Sequence, residues 1–231
     1  MDGLLRQGLE ALSLPTAGIS SLLRFADMLS EKNKVMNLTA ITEPSEIATL
    51  HFLDSACLLA EVDFRSKRVV DVGTGAGFPG LPLRILEPSI QLTLLDSLNK
   101  RIAFLKEVCA ALALEDVACV HGRAEEFAAG QREQFDIAVS RAVASLPLLA
   151  ELCLPLVRPG GWFLAMKSVD SDQEIAAASR AIETLGGQLS AARDYTIPLT
   201  GVRHRLVIIK KVAQTPKKYP RAFAKIKKNP L

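Results

Sequence analysis

Val69-Val70-Asp71-Val72-Gly73-Thr74-Gly75-Ala76-Gly77-Phe78-Pro79-Gly80 is the stretch on which the reading of this chain turns. Three valines and an acid lead into glycines at every second position. The apolar run reads as a buried strand, and the glycines as a tight loop whose backbone a ligand can approach closely. A second apolar run, Leu92-Thr93-Leu94-Leu95, ends at Asp96. A glycine loop after one strand and a carboxylate after the next is how an α/β fold holds a ribose-bearing cofactor.

Two cofactors compete for that pattern. Gly75 to Gly80 satisfies G-x-G-x-x-G, and Asp96 follows at the distance expected of a dinucleotide site. Asp71, however, stands two residues before the first glycine, where a pyrophosphate would meet a like charge. S-adenosylmethionine carries an ammonium group, a ribose and an adenine, and no phosphate. The spacing D-x-G-x-G-x-G favours that molecule over NAD, and over a turn with no ligand.

The chain has 231 residues, 49% of them hydrophobic, enough for a sizeable core. No apolar run reaches the roughly 18 residues of a membrane span. The opening MDGLLRQGLEALSL lacks the basic start of a signal peptide, so a cytoplasmic protein is expected. Cys57, Cys109, Cys119 and Cys153 are far apart, with no C-x-x-C pair. They read as buried thiols in a reducing compartment, with no metal site. Net charge is +3, but Lys210, Lys211, Lys217, Lys218, Arg221, Lys225, Lys227 and Lys228 meet no acid after residue 209. Tyr219 and Phe223 lie among them. Cations with interleaved aromatics suit a phosphate backbone with exposed bases, and the plainer alternative is a solvated tail.

Three segments follow from the patterning: a helical extension over 1–65, an α/β domain over 66–212 and a basic tail over 213–231. In the first, Leu4, Leu5, Leu9 and Leu12 form one apolar stripe, and Leu22, Leu23, Ala26 and Leu29 another. Asn33 and Asn37 mark a break, and Thr42 reads as the cap of the next helix, with Pro44 in its first turn. His51 on that helix reads as a packed or capping histidine. Strands are then predicted near 67–73, 90–96, 117–121, 134–140 and 160–167, with helices between them, the clearest near 98–113 and 145–157. That alternation implies a parallel sheet covered on both faces. Residues 187–198 and 203–211, joined through Pro198-Leu199-Thr200-Gly201, predict a terminal antiparallel hairpin and a seven-stranded, mostly parallel, Rossmann-like sheet.

Ligands in open α/β sheets sit beyond the carboxyl ends of strands. That rule selects Asp71, Gly73 and Gly75 from the first strand, and Asp96, able to accept both ribose hydroxyls, from the second. The third strand leads to Ala124, whose amide can read an adenine, and Glu125, which either accepts from its exocyclic amine or simply suits a helix start. The fourth ends at Arg141, placed for a carboxylate or a phosphate, or else on the surface.

These residues resemble the bacterial 16S ribosomal RNA methyltransferase G family, also called the glucose-inhibited division protein B family. The matching strings are Asn37-Leu38-Thr39, His51-Phe52-Leu53-Asp54-Ser55, DVGTGAGFPGLPL at 71–83, LLDSLNKRIAFL at 94–105, GRAEEF at 122–127, SRAVAS at 140–145, RHRLVIIKK at 203–211 and the tail TPKKYPRAFAKIKKNPL. The resemblance implies S-adenosylmethionine as methyl donor and ring nitrogen 7 of a guanine, conventionally numbered 527 in 16S ribosomal RNA, as target. It implies cofactor contacts at Gly73, Phe78, the Asp96 region, Ala124, Glu125 and Arg141. Phe78 stands where leucine is usual, and Ala124 where valine is common. The expected partner is 16S ribosomal RNA or the small ribosomal subunit, bound by a monomer. Lys100, Arg101, Arg203, Arg205, Lys217, Lys218 and Arg221 are the cations expected to face it. That nitrogen carries a free lone pair, so no general base is expected. A methyltransferase acting on another RNA, a protein or a small molecule, and a nucleotide-binding regulator without catalysis, are the rival readings.

Overall fold

A computed structural model describes residues 1–141 and 144–231. Ala142 and Val143 of the SRAVAS string lie outside the described residues. Seven strands form one sheet: β1 (Arg68–Val72), β2 (Gln91–Asp96), β3 (Val117–His121), β4 (Phe135–Arg141), β5 (Val157–Ser168), β6 (Gly187–Thr196) and β7 (Arg203–Lys211). Their order across the sheet is β3-β2-β1-β4-β5-β7-β6. The first five pair in parallel, while β7 runs antiparallel to both β5 and β6. The predicted hairpin therefore folds back so that its second strand, not its first, joins the sheet.

Side chains alternate between faces along each strand. Val69, Leu92 and Leu94 enter one apolar cluster, and Val70, Val72 and Leu95 the other. Helices α1 (Asp2–Ala11), α2 (Ile19–Met36), α5 (Gly80–Leu86) and α6 (Asn99–Ala111) cover the first face. A longer helix joins them: α3 (Pro44–Glu46), a π-wound stretch Ile47–Leu53 and α4 (Asp54–Glu61). Its cap is Glu43 rather than Thr42, with Pro44 in the first turn as expected. Helices α7 (Ala124–Gln131), α8 (Leu146–Cys153), α9 (Asp172–Thr184) and α10 (Phe223–Lys228) lie on the second.

The segment 1–65 shares the sheet's core. On α2 the buried residues Ile19, Leu22, Phe25, Ala26 and Leu29 recur at helical spacing. Phe25 is fully buried and stacks on Phe78 of the glycine loop with ring centroids 5.3 Å apart. Burying such a ring is worth about 1.5–3 kcal/mol, so α2 is held against the loop. Asn37 ends α2 in the left-handed conformation, φ 48°. The Asn33 amide then brackets Thr39, donating to its carbonyl (2.9 Å) and accepting from its N–H (3.0 Å). The residues 213–231 are packed as well: Thr215, Tyr219 and Ile226 are buried. Among the described residues no helix is long and apolar enough to cross a membrane, and none of the His, Cys, Asp and Glu side chains form a group able to hold a metal ion. All four thiols are free, although Cys109 and Cys119 bring their sulfurs within 3.8 Å.

Candidate cofactor and substrate site

The loop after β1 opens at the carboxyl ends of the strands. Gly75 has φ +60°, and where a Cβ would stand only the Gly73 carbonyl comes as close as 4.0 Å, so the backbone lies bare toward open space. Asp96 is the loop's second support. Its Oδ2 accepts from the Gly75 N–H (2.9 Å) and its Oδ1 from the Leu98 N–H (2.9 Å). A longer contact comes from Arg101 (3.3 Å).

Asp71 behaves differently from its sequence-level reading. It was expected to face a cationic cofactor, but it is completely buried. Strand alternation sends its side chain under the loop, toward α5. There Oδ2 accepts from Thr74 Oγ1 (2.7 Å) and from the Gly80 N–H (2.9 Å), while Oδ1 has no partner. A Cβ on Gly80 would come within 2.8 Å of that carboxylate, so glycine permits the approach. Burial pushes the carboxyl up to about 6, against the two hydrogen bonds that favour the ion. Asp71 shapes the loop from beneath.

Two chambers meet along the strand ends. The larger, about 540 Å³, is lined by Gly73, Gly75, Phe78, Asp96, Arg101 and Arg141, with Thr39 and His51 from the N-terminal helices. The smaller, about 140 Å³, is lined by Leu95, Asp96, Gly122, Ala124, Glu125 and also Phe223. Gly73, Asp96 and Ser97 border both. The structure thus brings Gly73, Gly75, Phe78, Asp96, Ala124, Glu125 and Arg141 to one continuous cleft. A separate hollow at Lys67, Asp136 and Trp162 lies by the strands' opposite ends, away from this loop.

Beside the larger chamber a polar cluster organises a further cavity of about 640 Å³, which shares His51 and Arg141 with it. Arg141 donates to Asp54 Oδ2 (3.1 Å), to the Leu50 carbonyl (3.1 Å) and to His51 Nδ1 (2.9 Å), and lies over the Phe78 ring at 5.0 Å. The buried Asp54 also accepts from Tyr195 Oη (2.7 Å) and His204 Nδ1 (2.9 Å). Since Arg141 can only donate, His51 Nδ1 is the acceptor and Nε2–H donates to Thr39 Oγ1 (2.9 Å). Burial and the Arg141 charge push His51 down to about 3, so it stays neutral. His204 moves up through its bond to Asp54. His51 is a packed histidine, as the sequence suggested, but it also lines the cleft. Asp54, Tyr195 and His204 were missed as site residues, although Asp54 and His204 lie within two of the matching strings, at 51–55 and 203–211.

The cations sort by their partners. Lys100, Lys217 and Lys218 are exposed. Arg101 lines the cleft beside Asp96. Arg203 pairs with Asp194 (3.1 Å). Arg205 is held between Asp194 (2.5 Å) and Asp172 (2.6 Å). Arg221 clamps the buried Glu151 with its Nε (2.8 Å) and Nη2 (2.6 Å). Lys211 is fully buried. Arg205, Arg221 and Lys211 are thus engaged by groups of the protein itself, where Arg205 and Arg221 were expected to face RNA and Lys211 was counted in the basic run.

The family model for rRNA small subunit methyltransferase G matches residues 18–203. A protein named ribosomal RNA small subunit methyltransferase G from Alkaliphilus metalliredigens (strain QYMF) is 49% identical over 216 residues, 92% of this chain and 90% of its own length. One of that name from Clostridium botulinum (strain ATCC 19397 / Type A) is 47% identical over 215 residues, again 92% and 90%. Among solved structures, M. jannaschii TYW2 in complex with AdoMet superposes with a TM-score of 0.57 at 14% identity, covering 70% of this chain and 76% of that one. TrmN from Thermus thermophilus gives 0.54 at 23% identity, covering 68% and 48%. At those identities the two structures speak for the fold, and the sequence relatives for the family: this chain belongs to the rRNA small subunit methyltransferase G family.

Proposed function

We propose that this protein transfers a methyl group from S-adenosylmethionine to ring nitrogen 7 of a guanine in 16S ribosomal RNA. The observation that carries this reading is the junction at His51 and Arg141, the two residues that the cofactor cleft and the further cavity share, neither of which is free to act as a base. Both His51 ring nitrogens are hydrogen-bonded, and its proton affinity is too low for it to take up a proton near neutrality. Neither of those two shared residues takes a proton from a nucleophile, and guanine nitrogen 7, with its free lone pair, needs none taken; Asp54 and His204, deeper in the further cavity, are bonded to each other.

The bare Gly75 backbone and the two linked chambers fit the cofactor in shape. S-adenosylmethionine supplies an electrophilic methyl group on a sulfonium. Asp96 holds the loop through Gly75 and keeps acceptor capacity for hydroxyls, a carboxylate offering about four lone-pair sites. Ala124 and Glu125 present a small side chain and an acceptor to the adenine end. Arg141 lies between the larger chamber and the further cavity, fixed by Asp54 and His51, where it can hold a carboxylate on one side or a base on the other. Catalysis then rests on placing two reactants in line, which can supply several kcal/mol of the barrier.

The test is incubation of the purified protein with S-adenosylmethionine and either bare 16S RNA or small subunits, followed by mass mapping of RNA fragments. One 7-methylguanine at a single position is expected. Methylation of another atom or another RNA, or none on either substrate, overturns the assignment.

A further inference from the structure

The C-terminal segment supplies a wall of the smaller chamber, although no motif in it marks a cofactor site. We infer that Phe223 is a cofactor-binding residue, closing the adenine end of the cleft with its ring. This rests on the reading of the cleft as an S-adenosylmethionine site.

Three features place the ring there. Arg132 of the turn after α7 donates to the carbonyls of Thr215, Pro216 (3.0 Å) and Tyr219 (2.7 Å), gathering the segment. Arg221, two residues before Phe223, is clamped by Glu151 on α8, and the next residue of that helix, Leu152, lines the same chamber. Beyond Phe223, Ile226 is fully buried in the core of that face. Phe223 is therefore fixed between two anchors. The Arg123 guanidinium lies 5.6 Å from its ring centroid, and Arg123 immediately precedes Ala124.

The chamber's chemistry suits a flat heteroaromatic. Leu95, Leu152, Ala124 and Phe223 give apolar surface, and Glu125 gives an acceptor suited to an exocyclic amine. Its volume of about 140 Å³ is of the order of one purine. An aromatic wall is sequence-tolerant toward bases, since every base has a π-face, and truncating it removes the stacking surface.

The experiment is calorimetric titration of full-length protein with S-adenosylhomocysteine and, separately, adenosine. Phe223→Ala is expected to weaken both about tenfold, and Phe223→Tyr to stay within a few-fold of the parent. Equal affinities in a folded Phe223→Ala protein overturn the inference. If Phe223→Ala does not fold, Phe223→Trp replaces it, with Trp162, the one native tryptophan, changed to phenylalanine. Its emission is expected to shift as adenosine is added and to saturate at the calorimetric affinity. Unchanged emission at saturating adenosine overturns the inference equally. Failure of the parent protein to bind S-adenosylhomocysteine at all would instead strike the cofactor reading itself.

Discussion

A buried carboxyl under the glycine loop makes stability depend on pH in an unusual direction. Asp71 is raised from 3.8 to about 6, so the folded state binds its proton more tightly than the unfolded chain. Ionising it as pH rises from about 4 to about 6 therefore costs stability, about 3 kcal/mol in all at ~1.4 kcal/mol per unit. Asp71→Asn is expected to lose that dependence, and denaturant titrations between pH 4.5 and 7 of the ligand-free protein measure it. His51 acts the other way, because its folded proton affinity lies below the unfolded 6.5 and stability falls as pH drops. That slope is common to parent and variant and cancels in their difference. A variant with the parent's slope would refute the ionisation argument. The spacing around the loop showed that an acid lies beside it. It did not show whether the carboxylate stands above the loop or beneath, because that depends on α5 and Gly80 packing back onto β1. The cations were opaque for a similar reason: the carboxylates of Asp172, Asp194 and Glu151 that occupy them come from separate parts of the chain.

Elements were more legible than side chains. Each predicted strand is present, with no end moved by more than three residues, and the central ones were plain because buried parallel strands leave continuous apolar runs. The π-winding of Ile47–Leu53 was not legible, since no residue type announces it. Nor was the docking of residues 213–231, whose lysines hide three buried anchors, Thr215, Tyr219 and Ile226. The clamp between α8 and that segment carries a test. Arg221→Ala leaves the Glu151 carboxylate buried without its countercharge, which is expected to cost about 3 kcal/mol, the low end for such pairs because the guanidinium is one quarter exposed. A thermal or urea unfolding curve reads it directly, and an unshifted midpoint would show the pair to be idle.

On the scale of the molecule, the modest net charge of +3 conceals a division between exposed and occupied cations. If the exposed lysines meet phosphates, the simultaneous change of Lys100, Lys217 and Lys218 to alanine should flatten the plot of log affinity for ribosomal RNA against log salt by about 2 units, from ~0.7–0.9 per contact. Arg205→Ala should leave that slope alone and lower the unfolding midpoint instead. Filter binding at several potassium concentrations separates the two, and identical slopes for parent and triple variant would move the RNA surface elsewhere. The strand order has a consequence of its own during synthesis. Because β7 lies between β5 and β6, the last strand made is the one that attaches the edge. Until residues 203–211 have emerged, β6 has nowhere to pair, and β5 presents an open rim that includes Phe163, Leu164 and Met166. Such a rim invites pairing with other chains, so the growing polypeptide is most vulnerable to aggregation late, with most of its sheet already in place. A stop codon at the start of β7 removes two strands from the sheet for the loss of one from the sequence.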